Sequence, residues 1–361
     1  MGKGGIEEPE QLASCTYRSY GYLADGSEVE AWTLRGAGGM EMEILSYGAA
    51  IRRLAVPDGD GHVVDVVLGY ETIDSWERAN ESYFGVIAGR IAGRVPAGHL
   101  AFEGQVYQLA CNDRGNHLHG ADGGLDKCLW KGEPLTGEDG TVGVRMRYRS
   151  PDGEGGYPGT VEISATFQLT PDNTFIFETE AKADQVTPIS LAQHSYFNLA
   201  GAGHGSAEGH VVQIFAEQVM RTDEKMTPLG VAEAVECTAA DLRQPRLLAG
   251  VIPALWQEHG DLYRLSEEVG LKPAARVFDP QSGRVMQVST THDFLQFYTG
   301  AHLDGSLIGK EDRAYPKHGG LCFECQGYPD PSADCGDILV RPEKAQIHRT
   351  IYAFSNEGIR S

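Results

Sequence analysis

The segment VEISATFQL, residues 161–169, alternates apolar and polar side chains without a break. Its apolar residues, from Val161 to Leu169, fall on one side, and its four polar residues fall on the other. This period of two predicts a β-strand with one face in water. The following TPDNT, residues 170–174, has the composition of a turn, and the alternation resumes over residues 175–183. Together these segments predict a β-hairpin.

Strand patterns of the same kind recur along the chain. Residues 275–290 predict a second hairpin around the turn DPQSG, and residues 63–68 and 347–354 add further strand-like segments. Helical periodicity is sparse, and residues 72–80 predict one short helix. The 46 glycines among 361 residues are about twice the usual share, which favours a protein dense in turns.

Strands that follow one another at short intervals, without helices between them, predict antiparallel sheets packed face to face. We therefore expect an all-β fold, a large antiparallel β-sandwich. No linker, repeat or low-complexity tract divides the sequence. The prediction is a single domain over residues 15–361, after a flexible N-terminal tail at residues 1–14.

Charge and hydropathy exclude several classes of partner. The chain has 51 acidic and 30 basic residues, a net charge of -21, whereas a protein that binds the phosphates of nucleic acids or anionic membranes is normally basic. No segment has the run of about 20 apolar residues that a membrane span needs, and the N-terminus has no signal-peptide core. We expect a cytoplasmic protein that binds neither nucleic acid nor membrane.

The seven cysteines are scattered, which favours free thiols in a reducing compartment. Cys322 and Cys325 form a CxxC motif, but there is no second pair at metal-ligand spacing. Two strand thiols are therefore a better interpretation than a zinc or redox site.

Glu324 lies inside the apolar run LCFEC, residues 321–325. A charged carboxylate is costly in such surroundings, so this glutamate is either paired or functional. His194 lies beside two aromatic residues, Tyr196 and Phe197, which suits a sugar face but is also common in cores. Both residues are candidates for general acid–base chemistry.

A pair of arginines and a pair of histidines are weaker candidates for functional residues. Arg90 and Arg94 lie in the glycine-rich segment GVIAGRIAGRVPAG, and most such arginines are solvated on a surface loop. His117 and His119 alternate, so they face opposite sides if the chain is extended there. A metal site would need a third ligand, and phosphate-loop, dinucleotide, nucleophile-elbow and HExxH motifs are absent from the sequence. The sequence calls for neither a cofactor nor a metal.

Six segments occur in the same order and with similar spacing in a known family. The chain resembles the aldose 1-epimerase (galactose mutarotase) family over nearly its whole length. The residues that carry the resemblance are YFGVIAGRIAGRVPAGHLAFEGQVYQL at 83–109, NHLHGADGGLDKCLW at 116–130, GEGGYPG at 153–159, LAQHSYFNLAG at 191–201, LQFYTGAHLDG at 295–305 and YPKHGGLCFECQGYPD at 315–330.

The resemblance implies the galactose mutarotase-like β-sandwich, called a supersandwich, and a small aldose as the partner of a monomer or homodimer. It also implies catalytic roles for three residues. Glu324 would be the base that takes the proton of the C1 hydroxyl, His194 the acid that protonates the ring oxygen, and His119 a residue that polarises that oxygen. Sugar binding would fall to Arg94, Tyr196, Gln296 and Asp261.

The sequence departs from the family pattern at several positions. Gly93 replaces the asparagine that normally precedes Arg94, Ala121 replaces a glycine and Gln193 replaces an asparagine. The substrate-binding aspartate is matched by Gly260 in one register, and by Asp261 only after a shift of one residue.

The resemblance implies an isomerase, an aldose 1-epimerase that interconverts the α and β anomers of free hexoses of the glucose and galactose class. A mutarotase for hexose phosphates is an alternative, although it would need a basic cluster for the phosphate. A non-catalytic sugar-binding or regulatory protein of the same fold is another. A glycoside hydrolase fits less well, since that reaction normally needs two carboxylates and the sequence offers one strong candidate.

Overall fold

A computed structural model describes residues 13–255, 260–330, 332 and 338–358. The predicted hairpin is present, because the strand Val161–Leu169 pairs antiparallel with Thr174–Ala183 and places Leu169 opposite Phe175. The second predicted hairpin is also confirmed, with strands Lys272–Phe278 and Arg284–Thr290.

The strands of the described residues, in chain order, are β1 (Ser14–Tyr22), β2 (Glu28–Arg35), β3 (Glu41–Leu45), β4 (Ile51–Pro57), β5 (Val63–Asp65), β6 (Ile87–Ala88), β7 (Arg94–Val95), β8 (His99–Phe102), β9 (Gln105–Gln108), β10 (His117–Leu118), β11 (Lys131–Thr136), β12 (Val142–Ser150), β13 (Val161–Leu169), β14 (Thr174–Ala183), β15 (Thr187–Pro188), β16 (Ala192–Gln193), β17 (Tyr196–Phe197), β18 (Val211–Ile214), β19 (Gln218–Thr222), β20 (Pro228–Ala234), β21 (Arg246–Leu247), β22 (Leu262–Arg264), β23 (Lys272–Phe278), β24 (Arg284–Thr290), β25 (Phe294–Tyr298), β26 (Leu321–Gln326), β27 (Leu339–Val340) and β28 (Gln346–Asn356). The α-helix α1 spans Ile73–Ala79, as predicted. Short 3₁₀ turns lie at Asn80–Ser82, Pro96–Gly98, Ala121–Gly123, Leu125–Lys127, Glu154–Gly156, Ala207–Gly209, Leu248–Gly250, Ile252–Ala254 and Lys310–Asp312.

Three sheets make up most of the molecule. The largest has nine strands in the order β11-β12-β13-β14-β28-β24-β23-β18-β21, and a second has six in the order β17-β26-β25-β22-β19-β20. Strands β1 to β5 form a third sheet in sequence order. Side chains of all three, such as Leu34, Phe167 and Phe323, meet in one apolar core. The fold is therefore the predicted all-β sandwich.

Two details differ from the sequence-based expectations. The polar face of β13 is not wholly in water, since Ser164 and Thr166 are buried beside long charged side chains on the neighbouring strands. Strand β5 ends at Asp65, three residues earlier than predicted. Most of the predicted tail lies outside the described residues, and β1 begins at Ser14.

The six cysteines that the structure describes are free thiols. Cys322 and Cys325 are both buried on β26, three residues apart, so their side chains leave opposite faces of the strand. This geometry confirms the interpretation as strand thiols. Among the described helices, none is long and apolar enough to cross a membrane.

Candidate active site

Strand β26 places a carboxylate at the floor of a cavity. All six of its residues are buried, and alternation sends Leu321, Phe323 and Cys325 into the main core. The other three, Cys322, Glu324 and Gln326, therefore face the opposite side. Because the backbone is fixed by pairing with β25 and β17, the Glu324 side chain is presented by a rigid element.

His194 reaches the same place from the link between β16 and β17. Its backbone N–H donates to Val86 and its carbonyl accepts from the N–H of Gly85. Gln193, at a departure from the family pattern, supports this link, because its amide donates to the Gly85 carbonyl and to Ser195 and accepts from the Ser195 N–H. The substitution thus leaves the backbone of His194 well held.

His194, His119 and Glu324 converge. Nε2 of His194 lies 3.5 Å from Oε2 of Glu324, and Nε2 of His119 lies 4.0 Å from the same oxygen. Glu324 is only 2% exposed. No described residue donates a hydrogen bond to Oε2. A buried carboxylate oxygen without a donor, faced by two imidazoles, is arranged for a ligand hydroxyl or for proton transfer.

The same three side chains meet the distance requirement for a metal ion, since their ligand atoms lie within 4.8 Å of one another. One hydrogen bond argues against that use. Nδ1 of His119 accepts the backbone N–H of Gly93 at 3.1 Å, so the proton of the neutral ring is on Nε2, the atom that faces Glu324. A metal would need that nitrogen unprotonated. His119 is instead a hydrogen-bond donor directed into the site.

Burial shifts the pKa values of Glu324 and His194 in opposite directions. It raises the pKa of Glu324 to about 8, although the positive charge of Arg94 opposes the shift, and it lowers the pKa of His194 to about 4. The pKa of His119 is also well below its usual value, because of burial and the nearby His194. Neither imidazole therefore has the ordinary histidine pKa of about 6.5, at which a ring would be partly charged at neutral pH. At neutral pH both imidazoles are neutral, and the proton that Glu324 and His194 could exchange rests on Glu324.

The cavity above these groups has a volume of about 250 Å³, near the small end of ligand sites. All seven residues predicted to form the site line this cavity: Arg94, His119, His194, Tyr196, Asp261, Gln296 and Glu324. They come from sequence positions more than 200 residues apart. The size suits a single small polar ligand better than a polymer.

The side chains of Arg94 and Gln296 are each held by a hydrogen bond to a different part of the protein. Nε of Arg94 donates to the Asp113 carboxylate at 2.7 Å, which orients the guanidinium beside the cavity. Gln296 lies directly opposite Glu324 in the pairing of β25 with β26, and its Nε2 donates to the Phe297 carbonyl at 2.9 Å. The oxygen of that side-chain amide is then the end available to a ligand.

Tyr196 packs against the ring of His194. Its ring stacks on that of His194, with centroids 5.3 Å apart and an angle of 26° between the planes. Burial raises its pKa well above the usual value. The hydroxyl therefore stays protonated, and the ring limits the orientation of the imidazole.

The uncertain aspartate position has a structural answer. Gly260 adopts φ of 107°, and a Cβ there would lie 2.4 Å from the carbonyl oxygen of Phe297, so no side chain fits without a backbone shift. Asp261 supplies the carboxylate in the cavity wall, and burial raises its pKa to about 6. The register shifted by one residue is the one that places an aspartate in the cavity.

Two residues from the sequence analysis serve the scaffold. Arg90 is not on the surface, as expected for a loop arginine, but 2% exposed, and it donates to the carbonyls of Pro158 and Gly159 among others. His117 faces away from His119, and its ring bonds to the Ala110 carbonyl and the Tyr157 hydroxyl. Both are buried groups whose partners lie in the protein.

Two further residues that line the cavity, Tyr83 and Gln326, were not among those predicted from the sequence. Tyr83 packs against both histidines, with ring centroids 4.8 Å from His119 and 5.8 Å from His194. Gln326 was not singled out, although its spacing of two from Glu324 places it on the same face of a strand. That spacing was a usable signal, whereas nothing in the sequence around Tyr83 indicated its contact with the histidines.

Comparison with known proteins gives consistent similarities. The family model described as aldose 1-epimerase matches residues 30–353. Galactose mutarotases of Rattus norvegicus and Mus musculus are 38% and 39% identical over 349 residues, which cover 95% of this chain and 99% of each relative. The crystal structure of a galactose 1-epimerase from Lactobacillus acidophilus superposes with a TM-score of 0.84 at 25% identity, covering 96% of this chain and 100% of that one.

Proposed function

This chain belongs to the aldose 1-epimerase family, and we propose that it interconverts the α and β anomers of free aldoses of the glucose and galactose class, with Glu324 and His194 as the proton-transferring pair. The observation that carries the proposal is the 3.5 Å contact between the His194 imidazole and the Glu324 carboxylate, both buried beside one cavity. One acid and one base are what ring opening of a hemiacetal requires.

In the forward direction, Glu324 accepts the proton of the C1 hydroxyl while His194 gives its Nε2 proton to the ring oxygen. The bond between C1 and that oxygen breaks, and its electron pair stays on the oxygen. The open aldehyde rotates about the C1–C2 bond and presents its other face. On closure, His194 takes back the hydroxyl proton and Glu324 returns its proton to the carbonyl oxygen, so the pair regains its initial state.

These reaction steps require the proton shared by Glu324 and His194 to lie on His194 before ring opening. In the empty site it lies on Glu324, because burial disfavours the charged carboxylate. Sugar hydroxyls that fill the cavity donate hydrogen bonds to the carboxylate and stabilise its charged form, as does Arg94. Substrate binding thus favours transfer of the proton across the 3.5 Å contact to the imidazole.

The remaining groups hold the sugar. The N–H of His119 is directed into the site, where it donates to the ring oxygen and stabilises the charge that develops there. Arg94, Gln296 and Asp261 offer donors and acceptors for the other hydroxyls, and Tyr196 fixes the acid. Such positioning contributes by keeping the reacting atoms in line with the pair.

The charges of the cavity disfavour a hexose phosphate. Among the described residues, its lining includes two cations, Arg94 and Arg114, and three acidic residues, Glu81, Asp113 and Asp261, besides the protonated Glu324. Nε of Arg94 is already paired with Asp113 at 2.7 Å. A phosphate dianion would therefore enter a site with more negative than positive charge, which favours neutral sugars.

Polarimetry tests the proposed function and separates it from a non-catalytic sugar-binding role. Freshly dissolved α-D-glucose and α-D-galactose should approach their equilibrium rotation faster with the protein than in buffer, in proportion to protein concentration. Sugar that binds, as followed by calorimetry, while its rotation changes no faster than in buffer would establish the non-catalytic alternative instead.

The pH dependence of kcat/KM is expected to be a plateau between pH about 4 and about 8, set by the pKa values of His194 and Glu324. The active pair carries one proton in total. Below the lower pKa a second proton binds and removes the base, and above the higher pKa the proton is lost and the acid disappears. Rates measured by polarimetry, corrected for the buffer reaction at each pH, check this. An acidic limb near 6.5 would mean that the histidine titrates as it does in water.

A further inference from the structure

Gln326 lies beside the proposed catalytic carboxylate, and its amide oxygen has no donor among the described residues. It follows Glu324 by two residues on β26, lines the same cavity and is 1% exposed. Its Nε2 donates to the carbonyls of Ala92 and Gly327, both at 3.4 Å. These two acceptors define the orientation of the amide, because the reversed amide would set oxygen against oxygen. Within the described part of the chain, nothing donates to Oε1.

A buried carbonyl oxygen without a donor is unfavourable, and such groups in native proteins usually have a partner that is part of function. Gln326 lines the cavity, which a polyhydroxylated ligand would fill, and its Oε1 has no donor among the described residues. A sugar hydroxyl is the natural donor for it. The position of Gln326 along the strand indicates which hydroxyl.

The order of groups along β26 gives the sugar a direction. At one end, Sγ of Cys322 lies 3.7 Å from Nδ1 of His194. Glu324 follows two residues later, and Gln326 two residues after that, so the acid and the glutamine lie on opposite sides of the carboxylate. C1 of an aldopyranose has two ring neighbours, the ring oxygen and C2. With the ring oxygen at His194 and the C1 hydroxyl at Glu324, C2 lies toward Gln326.

We propose that Oε1 of Gln326 accepts a hydrogen bond from the C2 hydroxyl of the aldose, which makes Gln326 a specificity-determining residue for the substituent at C2. This inference rests on the proposed function, since it uses the placement of C1 and the ring oxygen.

Gly93 leaves the space that this contact needs. It adopts φ of 86°, and a Cβ at this position would lie 2.8 Å from Nε2 of Gln326 and 3.4 Å from Cβ of Pro329. Any side chain there would push the amide away from the Ala92 and Gly327 carbonyls. The glycine that replaces the family asparagine therefore lets the Gln326 amide keep its contacts with the Ala92 and Gly327 carbonyls.

The test compares D-glucose with 2-deoxy-D-glucose, which mutarotates but has no C2 hydroxyl. For the wild-type protein, kcat/KM measured by polarimetry should favour glucose by at least about tenfold, since a site built to bind a hydroxyl rejects the analogue without it. In Gln326→Leu, kcat/KM for glucose should fall by that factor and kcat/KM for the deoxy sugar should change little, so the ratio approaches one. Gln326→Met, which keeps an unbranched side chain, should give the same ratio.

The ratio is measured within one preparation, so a loss of folded protein cancels from it. If Gln326 had a purely structural role, its replacement would lower kcat/KM equally for both sugars and leave the ratio at the wild-type value. That result would overturn the inference. Gln296→Leu is the matched control, and it should lower kcat/KM for both sugars by a common factor. Collapse of the ratio in Gln296→Leu instead would assign the C2 contact to that residue. A wild-type protein inactive on both sugars would refute the proposed function itself.

Discussion

Replacing Glu324 by glutamine is expected to lower kcat for anomer exchange about 10²- to 10⁴-fold, the range for removal of a well-placed general base. The amide has the shape of the carboxylate and still forms hydrogen bonds with sugar hydroxyls, but it cannot take the C1 proton. Binding of galactose should therefore change little. Initial rates from polarimetry at saturating sugar, together with calorimetric titration, separate the two effects.

Glu43→Gln provides the matched control for this experiment. Glu43 is also a buried carboxylate, but it lies on β3, outside the cavity, and accepts from Arg52 at 2.7 Å. Its replacement should reduce thermal stability and leave kcat per folded molecule unchanged. A Glu324→Gln protein that retains near wild-type kcat would remove this carboxylate from the mechanism.

His194→Asn should also lower kcat about 10²- to 10⁴-fold, because asparagine cannot donate a proton to the ring oxygen at neutral pH. Loss of the ring also removes its stacking contact with Tyr196, so a modest rise in KM is expected as well. Stopped-flow polarimetry over a range of sugar concentrations gives both constants.

The control for the histidine is His210→Asn. His210 is buried outside the cavity, and its Nε2 accepts the Leu199 N–H at 2.9 Å. Its replacement should lower stability without a change in kcat. If His194→Asn and His210→Asn have the same kcat as the wild-type protein, His194 is not the acid.

The sequence predicted the fold where strands are long and regular. The alternation of apolar and polar residues over 161–183 specifies a hairpin, because successive side chains of a strand point to opposite faces of the sheet and only one face is apolar. It gave no indication of two-residue strands such as β7 and β16, which are too short to show a period. Yet these short strands hold Arg94 and the chain entering His194 in place.

Within the site, Glu324 could be predicted because its apolar neighbours reveal a buried strand. In water a glutamate has a lower pKa than a histidine, but in this site the pKa of Glu324 lies above that of His194. This reversal could not be predicted, since it depends on complete burial by residues from distant segments. Arg90 was mistaken for a surface residue for the same reason. Its partners, including the Pro158 and Gly159 carbonyls, come from a loop almost 70 residues further along the chain.

The choice between Gly260 and Asp261 also needed coordinates. The sequence is compatible with either register, whereas the close approach of Gly260 to the Phe297 carbonyl permits only a glycine there. Likewise, the lack of a donor to the Gln326 oxygen within the described part of the chain is a property of three-dimensional packing. Sequence patterns identify which side chains are candidates, and the structure shows which atoms lack a partner.

The central claim is that Glu324 and His194 act as one unit that shares a single proton across their 3.5 Å contact. The double variant Glu324→Gln/His194→Asn tests this most directly, by polarimetry beside both single variants. Groups that act as a unit are not additive, so we expect the double variant to be no slower than the slower single variant. A double variant whose loss is the product of the two single losses would show that the residues act independently, and would contradict the shared-proton mechanism.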